Sequence, residues 1–252
     1  MATAGTLGVL ETQRLWRWRD LLGITALSIM VFLGGVIALV GGIMATGGTV
    51  SPPEALLESL PFTLGSMAVS AVALIGAVFA GLRWRRLRGI DLGLGRTSWR
   101  WLLAAAGAAI LVRLLAVPLT LLLQWLGLST ASSQLTFMAP EGFSWGAMLG
   151  TLVLGGIVVP FAEELFFRGV LYNWLRRWGI ALATGVSALV FAAIHGELAV
   201  AAIVFWLGIA TAIVYERSRS LWAAVVVHVV FNVLGIGVLY AALAAGIELP
   251  GM

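Results

Sequence analysis

The sequence predicts an all-α, polytopic membrane bundle of about seven transmembrane helices. Three observations carry this. Of 252 residues, 61% are hydrophobic and 10% charged, with a mean hydropathy of +1.06; a soluble domain carries about 25% charged residues. The apolar residues gather into runs near the ~20 residues needed to cross a bilayer. The arginines fall between those runs in a regular alternation. A barrel is excluded, because no segment alternates apolar and polar residues. The chain has no cysteine, which removes disulfides, thiolate nucleophiles and thiolate metal ligands.

Apolar runs cover residues 21–45, 62–82, 101–126, 145–174, 180–195, 198–215 and 221–245. The first is longer than the roughly 7–15 residues of a signal-peptide core and reads as a retained span. No lipidation motif stands at either end. The short interruptions each carry polar or turn-forming residues. Two are longer, around Ser51-Pro52-Pro53 and over residues 130–140. No internal repeat is visible, so residues 1–252 read as one membrane domain.

All fifteen basic residues are arginine. Arg14, Arg17 and Arg19 precede the first run. Arg83, Arg85, Arg86, Arg88, Arg96 and Arg100 follow the second, Arg176 and Arg177 the fourth, and Arg217 and Arg219 the sixth. With seven crossings these all lie on one face. The opposite loops hold Glu54, Glu58, Glu141, Glu197 and Glu248 and no arginine. The positive-inside rule then puts the N-terminus in and the C-terminus out, in a plasma (inner) membrane. The same placement accounts for the basic balance by topology, without a nucleic-acid partner. Trp84, Trp99 and Trp101 fit an interfacial loop that touches membrane lipid.

The remaining ionisable residues are the informative ones. Glu163, Glu164, Arg168, His195, His228 and Arg113 fall inside apolar runs, where each is costly and marks a functional site by default. Glu164 and Arg168 are four apart on one helix and can pair. Glu163 is rotated about 100° away and lacks such a partner, which suits it to general acid–base work. His195 shares a helix face with Phe191, expected to shape a pocket wall, and His228 shares one with Asn232. Counted from the arginine-bearing ends at ~1.5 Å per residue, Glu163, His195, His228 and Asn232 fall roughly 12–24 Å deep, in the middle of a ~30 Å core. They can meet in one pocket. There, Glu163 and a histidine would activate a water, while His228 and Asn232 would donate to an oxyanion. No HExxH motif is present. Arg113 fits either a counter-ion to the glutamates or a snorkelling side chain.

Three motifs can now be read together: EELFFR as EExxxR, FAAIH as FxxxH and HVVFN as HxxxN. In that order on successive apolar helices they resemble the CAAX prenyl protease and bacteriocin-processing (CPBP) family of intramembrane endopeptidases. The resemblance covers a motif-bearing core at residues 145–239. It implies an all-helical membrane fold and peptide-bond hydrolysis. It also implies Glu163 as the water-activating base with His195 beside it, His228 and Asn232 as the oxyanion site, and Glu164 with Arg168 as a supporting pair. The expected substrate is a membrane-associated or lipidated peptide or protein, with the site opening towards the cytoplasmic side. Glu163, His195 and His228 would also make a His₂Glu set able to hold zinc. Asn232 is a poor zinc ligand, which favours a metal-independent mechanism. The alternatives are a proton-coupled transporter, in which the Glu–His pair relays protons, and a non-catalytic immunity or scaffold protein that binds a peptide in the same cavity.

Overall fold

The computed structural model describes residues 15–45 and 54–247. Arg14, Ser51-Pro52-Pro53 and Glu248 lie outside the described residues. Within them every regular element is helical. The main helices are α1 (Trp18–Ala45), α2 (Leu60–Arg85), α3 (Trp99–Trp125), α4 (Trp145–Trp178), α5 (Ile180–Ala193), α6 (Leu198–Ser218) and α7 (Leu221–Ala244). A short helix, Ser133–Met138, occupies the loop between α3 and α4, where a plain loop was expected.

Six of these helices are long and apolar enough to cross a membrane, and the chain is an integral, multi-pass membrane protein. The seventh, α5, has 14 residues. At ~1.5 Å per residue it reaches about 21 Å, short of a ~30 Å core. It stops because the chain turns at Gly196, whose φ of 74° belongs to the left-handed region and suits a residue without a Cβ. His195, expected inside the helix, therefore stands just past its end.

The helix boundaries follow local chemistry. Ser59 precedes α2 and its hydroxyl accepts from the amide of Phe62, meeting one of the unpaired donors of a first turn. α4 begins in the same way, with Ser144 accepting from the Ala147 amide. The lipid-facing surface stays apolar: Met30, Ile37, Leu111, Leu114 and Val238 are all exposed, as expected where lipid replaces water as the solvent.

α4 packs against α2 and α7, α7 against α3 and α6, and α5 against α6. Two wide π turns, Leu154–Val158 and Phe167–Tyr172, interrupt α4 on either side of the α-helical stretch Val159–Phe166 that carries both glutamates. The first has a chemical cause. Pro160 has no N–H and its ring crowds the preceding turn. The Val159 amide bonds instead to the Leu154 carbonyl, so neither Val159 nor Pro160 serves Gly155.

The arginine-bearing face is tied shut. Trp16, 1% exposed, donates its indole N–H to the Gly169 carbonyl at 2.7 Å. Arg176 grips Glu216 through Nε at 3.0 Å and Nη2 at 2.9 Å, and the Tyr172 hydroxyl donates to the same carboxylate at 2.8 Å. Arg85 pairs with Asp20 at 3.2 Å.

Candidate active site

The site begins with a buried ion pair. Arg168 and Glu164 are both 0% exposed and meet at 3.1 Å. Arg168 also donates to the Gly208 carbonyl at 2.8 Å. That bond needs α6 close by. Gly208 also lets α6 close on α5, since a Cβ there would lie 2.9 Å from the Ala188 backbone. The i,i+4 pairing read from the sequence is thus present.

Glu164 does more than hold Arg168. The same Oε1 lies 2.9 Å from Nδ1 of His228. Nε2 of that ring faces Glu163 Oε2 at 3.6 Å. The imidazole of His228 therefore sits between two carboxylates that differ in kind. One is enclosed and neutralised by Arg168; the other borders the cavity. Where Glu164 accepts from Nδ1–H, Nε2 is left free for chemistry.

His195 is oriented by its own helix. Its Nδ1 is 2.8 Å from the Phe191 carbonyl. A carbonyl only accepts, so Nδ1 carries a proton, and in the neutral ring Nε2 keeps its lone pair. Phe191 is not a pocket wall. It is fully buried behind the site, its ring edge-on to His195 at 4.9 Å and to His228 at 5.5 Å. It acts as a wedge that fixes both imidazoles.

Asn232 has a less obvious anchor. Its amide donates to the Gly155 carbonyl at 3.0 Å, the acceptor left unserved above Pro160. An amide NH₂ has two N–H donors. One is spent on α4 and the other is available to a ligand.

Glu163, His195, His228 and Asn232 line a single cavity of about 510 Å³. Its other lining residues include Met67 of α2, Ile203 of α6 and Phe137 of the short helix. The expected opening towards the arginine-bearing side is not what the structure has. Thr130, Ser132, Gln134 and Met138, from the loop at the arginine-poor end, line the cavity, while the opposite end is filled by the Trp16 and Glu216 contacts. Arg113 also lines it and follows neither expectation: among the described residues it makes no ion pair with a glutamate, and it turns inward to donate from Nη2 to the Phe231 carbonyl of α7.

Among the described residues no three His, Asp or Glu side chains are grouped to hold a metal ion. Nδ1 of His195 is taken by a carbonyl and Nδ1 of His228 by Glu164. Both Nε2 atoms remain free, and these are the atoms a metal-bound histidine offers while its Nδ1–H is held by a carbonyl or carboxylate.

Residues 144–234 match the family described as type II CAAX prenyl endopeptidase Rce1-like. The match covers about a third of the chain and coincides with the stretch in which the three motifs lie. The chain is also similar to the "Putative membrane peptidase YdiL" of Bacillus subtilis (strain 168), at 24% identity over 82 residues. That match takes in 32% of this chain and 34% of the relative's length. No solved structure matches. The matched segment runs from the start of α4 into α7, so it contains every residue of the constellation. The signal missed in the sequence was GGIVVP, residues 155–160: two glycines and a proline inside an apolar helix predict a local break in helical bonding.

Proposed function

We propose that the chain is an intramembrane endopeptidase that hydrolyses a peptide bond in a membrane-associated or lipidated peptide or protein. The observation that carries this reading is the convergence of Glu163, His195, His228 and Asn232 on one cavity, with the last three each oriented by a separate hydrogen bond.

The roles follow from which atoms are free. Glu163 and Nε2 of His195 are both acceptors, so together they hold a water and take its proton. The water attacks the peptide carbonyl. The second N–H of Asn232 donates to the resulting oxyanion, as preorganised donors do in acyl transfer. His228, its ring oriented through Nδ1 by Glu164, turns Nε2 towards the same oxygen. Glu163 then returns a proton to the leaving amine. No metal enters this scheme. The apolar lining fits an apolar peptide segment, and the arginine-poor mouth is its entrance. We place the chain in the plasma membrane, where the arginine distribution turns this mouth outward.

The test is purified protein in nanodiscs with a peptide library, read by mass spectrometry. Wild-type protein cleaves, with or without chelator. Glu163→Ala and His195→Ala remain folded and lose cleavage by at least about a hundredfold. Full activity in Glu163→Ala would remove the proposed base. Activity lost on chelation and restored by zinc would remove the metal-independent scheme.

A further inference from the structure

We propose that Arg113 is a specificity residue of this cavity, placed to bind a peptide carboxylate one or two residues from the bond that is cut. This rests on the peptidase reading above. Arg113 is the fifteenth of 27 residues in α3, which puts its Cα about 21 Å from one helix end and 18 Å from the other. A guanidinium at that depth is costly and normally pairs with an acid. Among the described residues no carboxylate forms an ion pair with it. The group is held in place all the same. Nη2 donates to the Phe231 carbonyl, the guanidinium carbon lies 3.7 Å from the centre of the Phe231 ring, and Nε is buried without a partner. A carbonyl and an aromatic face fix its position but leave the positive charge unneutralised.

Gly235 is what admits the group. A Cβ at 235 would stand 2.4 Å from Nη2 of Arg113. Residues 228, 232 and 235 recur at helical spacing along one face of α7. Arg113 therefore stands about 4.5 Å, or three residues, beyond Asn232 towards the arginine-poor mouth. An extended peptide advances about 3.3–3.6 Å per residue. A carbonyl polarised at Asn232 thus places the next one or two residues beside the guanidinium. The planar donors of arginine match a carboxylate in two-point contact. A lipid phosphate is a poorer match by position, because headgroups lie about 15 Å from the bilayer midplane. The anion arrives with the molecule that enters the cavity, as a C-terminal carboxylate or an acidic side chain.

The experiment measures binding on full-length Glu163→Gln protein in phosphatidylcholine nanodiscs, so loss of hydrolysis does not enter the readout. Three fluorescent probes share one apolar hexapeptide: a free C-terminus, its amide, and the amide with a glutamate at the penultimate position. At least one carboxylate form should bind about tenfold or more tightly than the plain amide. Which of the two does so identifies the source of the anion. Arg113→Gln should abolish the preference with an unchanged melting temperature, and Arg113→Lys should retain part of it. Gly235→Ala, which displaces the guanidinium but keeps its charge, should also weaken it; this variant decides the matter if Arg113→Gln fails to fold. Equal binding of all three probes, no binding of any, or a preference that survives Arg113→Gln overturns the proposal. So does an Arg113-dependent affinity for phosphatidylglycerol with no peptide preference, which would make the site a lipid site.

Discussion

Removing Glu164 should damage the protein twice, and the two effects can be separated. Glu164→Ala leaves Arg168, 0% exposed, with one remaining bond, to the Gly208 carbonyl. Breaking one side of a buried ion pair costs about 3–5 kcal/mol, a large part of the 5–15 kcal/mol that typically separates folded from unfolded protein. For a chain of this size that is a fall of roughly 6–20 °C in melting temperature. Replacing both partners with apolar residues of similar volume removes the stranded charge, and such replacements are often neutral or stabilising. Glu164→Leu with Arg168→Met should therefore recover most of the melting temperature. It should not recover cleavage, because Nδ1 of His228 has lost the acceptor at 2.9 Å that orients the ring. The measurements are thermal unfolding in detergent by tryptophan fluorescence and peptide cleavage for wild type, both single variants and the double variant. A double variant with wild-type cleavage would show that Glu164 serves only the ion pair. A Glu164→Ala protein melting within a degree of wild type would refute the burial argument itself.

Two further predictions test the parts around this centre. Pro160→Ala restores a backbone N–H able to serve the Gly155 carbonyl, in competition with Asn232; melting temperature should hold or rise while cleavage falls about tenfold or more, and unchanged cleavage would show that the wide turn does not position the amide. At the cavity mouth, Ser133 donates to Glu197 from its hydroxyl and, at 2.9 Å, from its amide, and the hydroxyl bond above all holds the Glu197 carboxyl below the usual carboxylate range despite partial desolvation. A depressed folded value means that the tie is fully present above the usual glutamate value of about 4.3 and is lost only as pH falls through the lower folded value. Amide exchange of the Ser133–Met138 helix, corrected for intrinsic rate, should thus be equal at pH 7 and pH 5, whereas Glu197→Gln should loosen it at both.

The sequence was most legible where composition and strict helical spacing decide the outcome. Six helices of span length follow from hydropathy, and the Glu164–Arg168 pair from a spacing of four. Whatever depends on how one helix is turned against another was less legible. The contact of Glu164 with His228 joins residues 64 positions apart and needs the rotation of α7, which apolar periodicity fixes poorly when a helix is apolar all round. The direction in which the cavity opens was equally out of reach, because arginine counts locate the membrane faces and not the voids between helices. The placement of Asn232 depends on a defect. A regular α4 would satisfy the Gly155 carbonyl internally and leave the amide without an anchor there. The proline that interrupts the bonding thus creates the acceptor that holds the proposed oxyanion donor. Arg113 and Gly235 have the same relation: a missing side chain on α7 makes room for a charge from α3. In both cases the site is built where regular helix is given up, and spacing rules that assume an unbroken helix pass over such places.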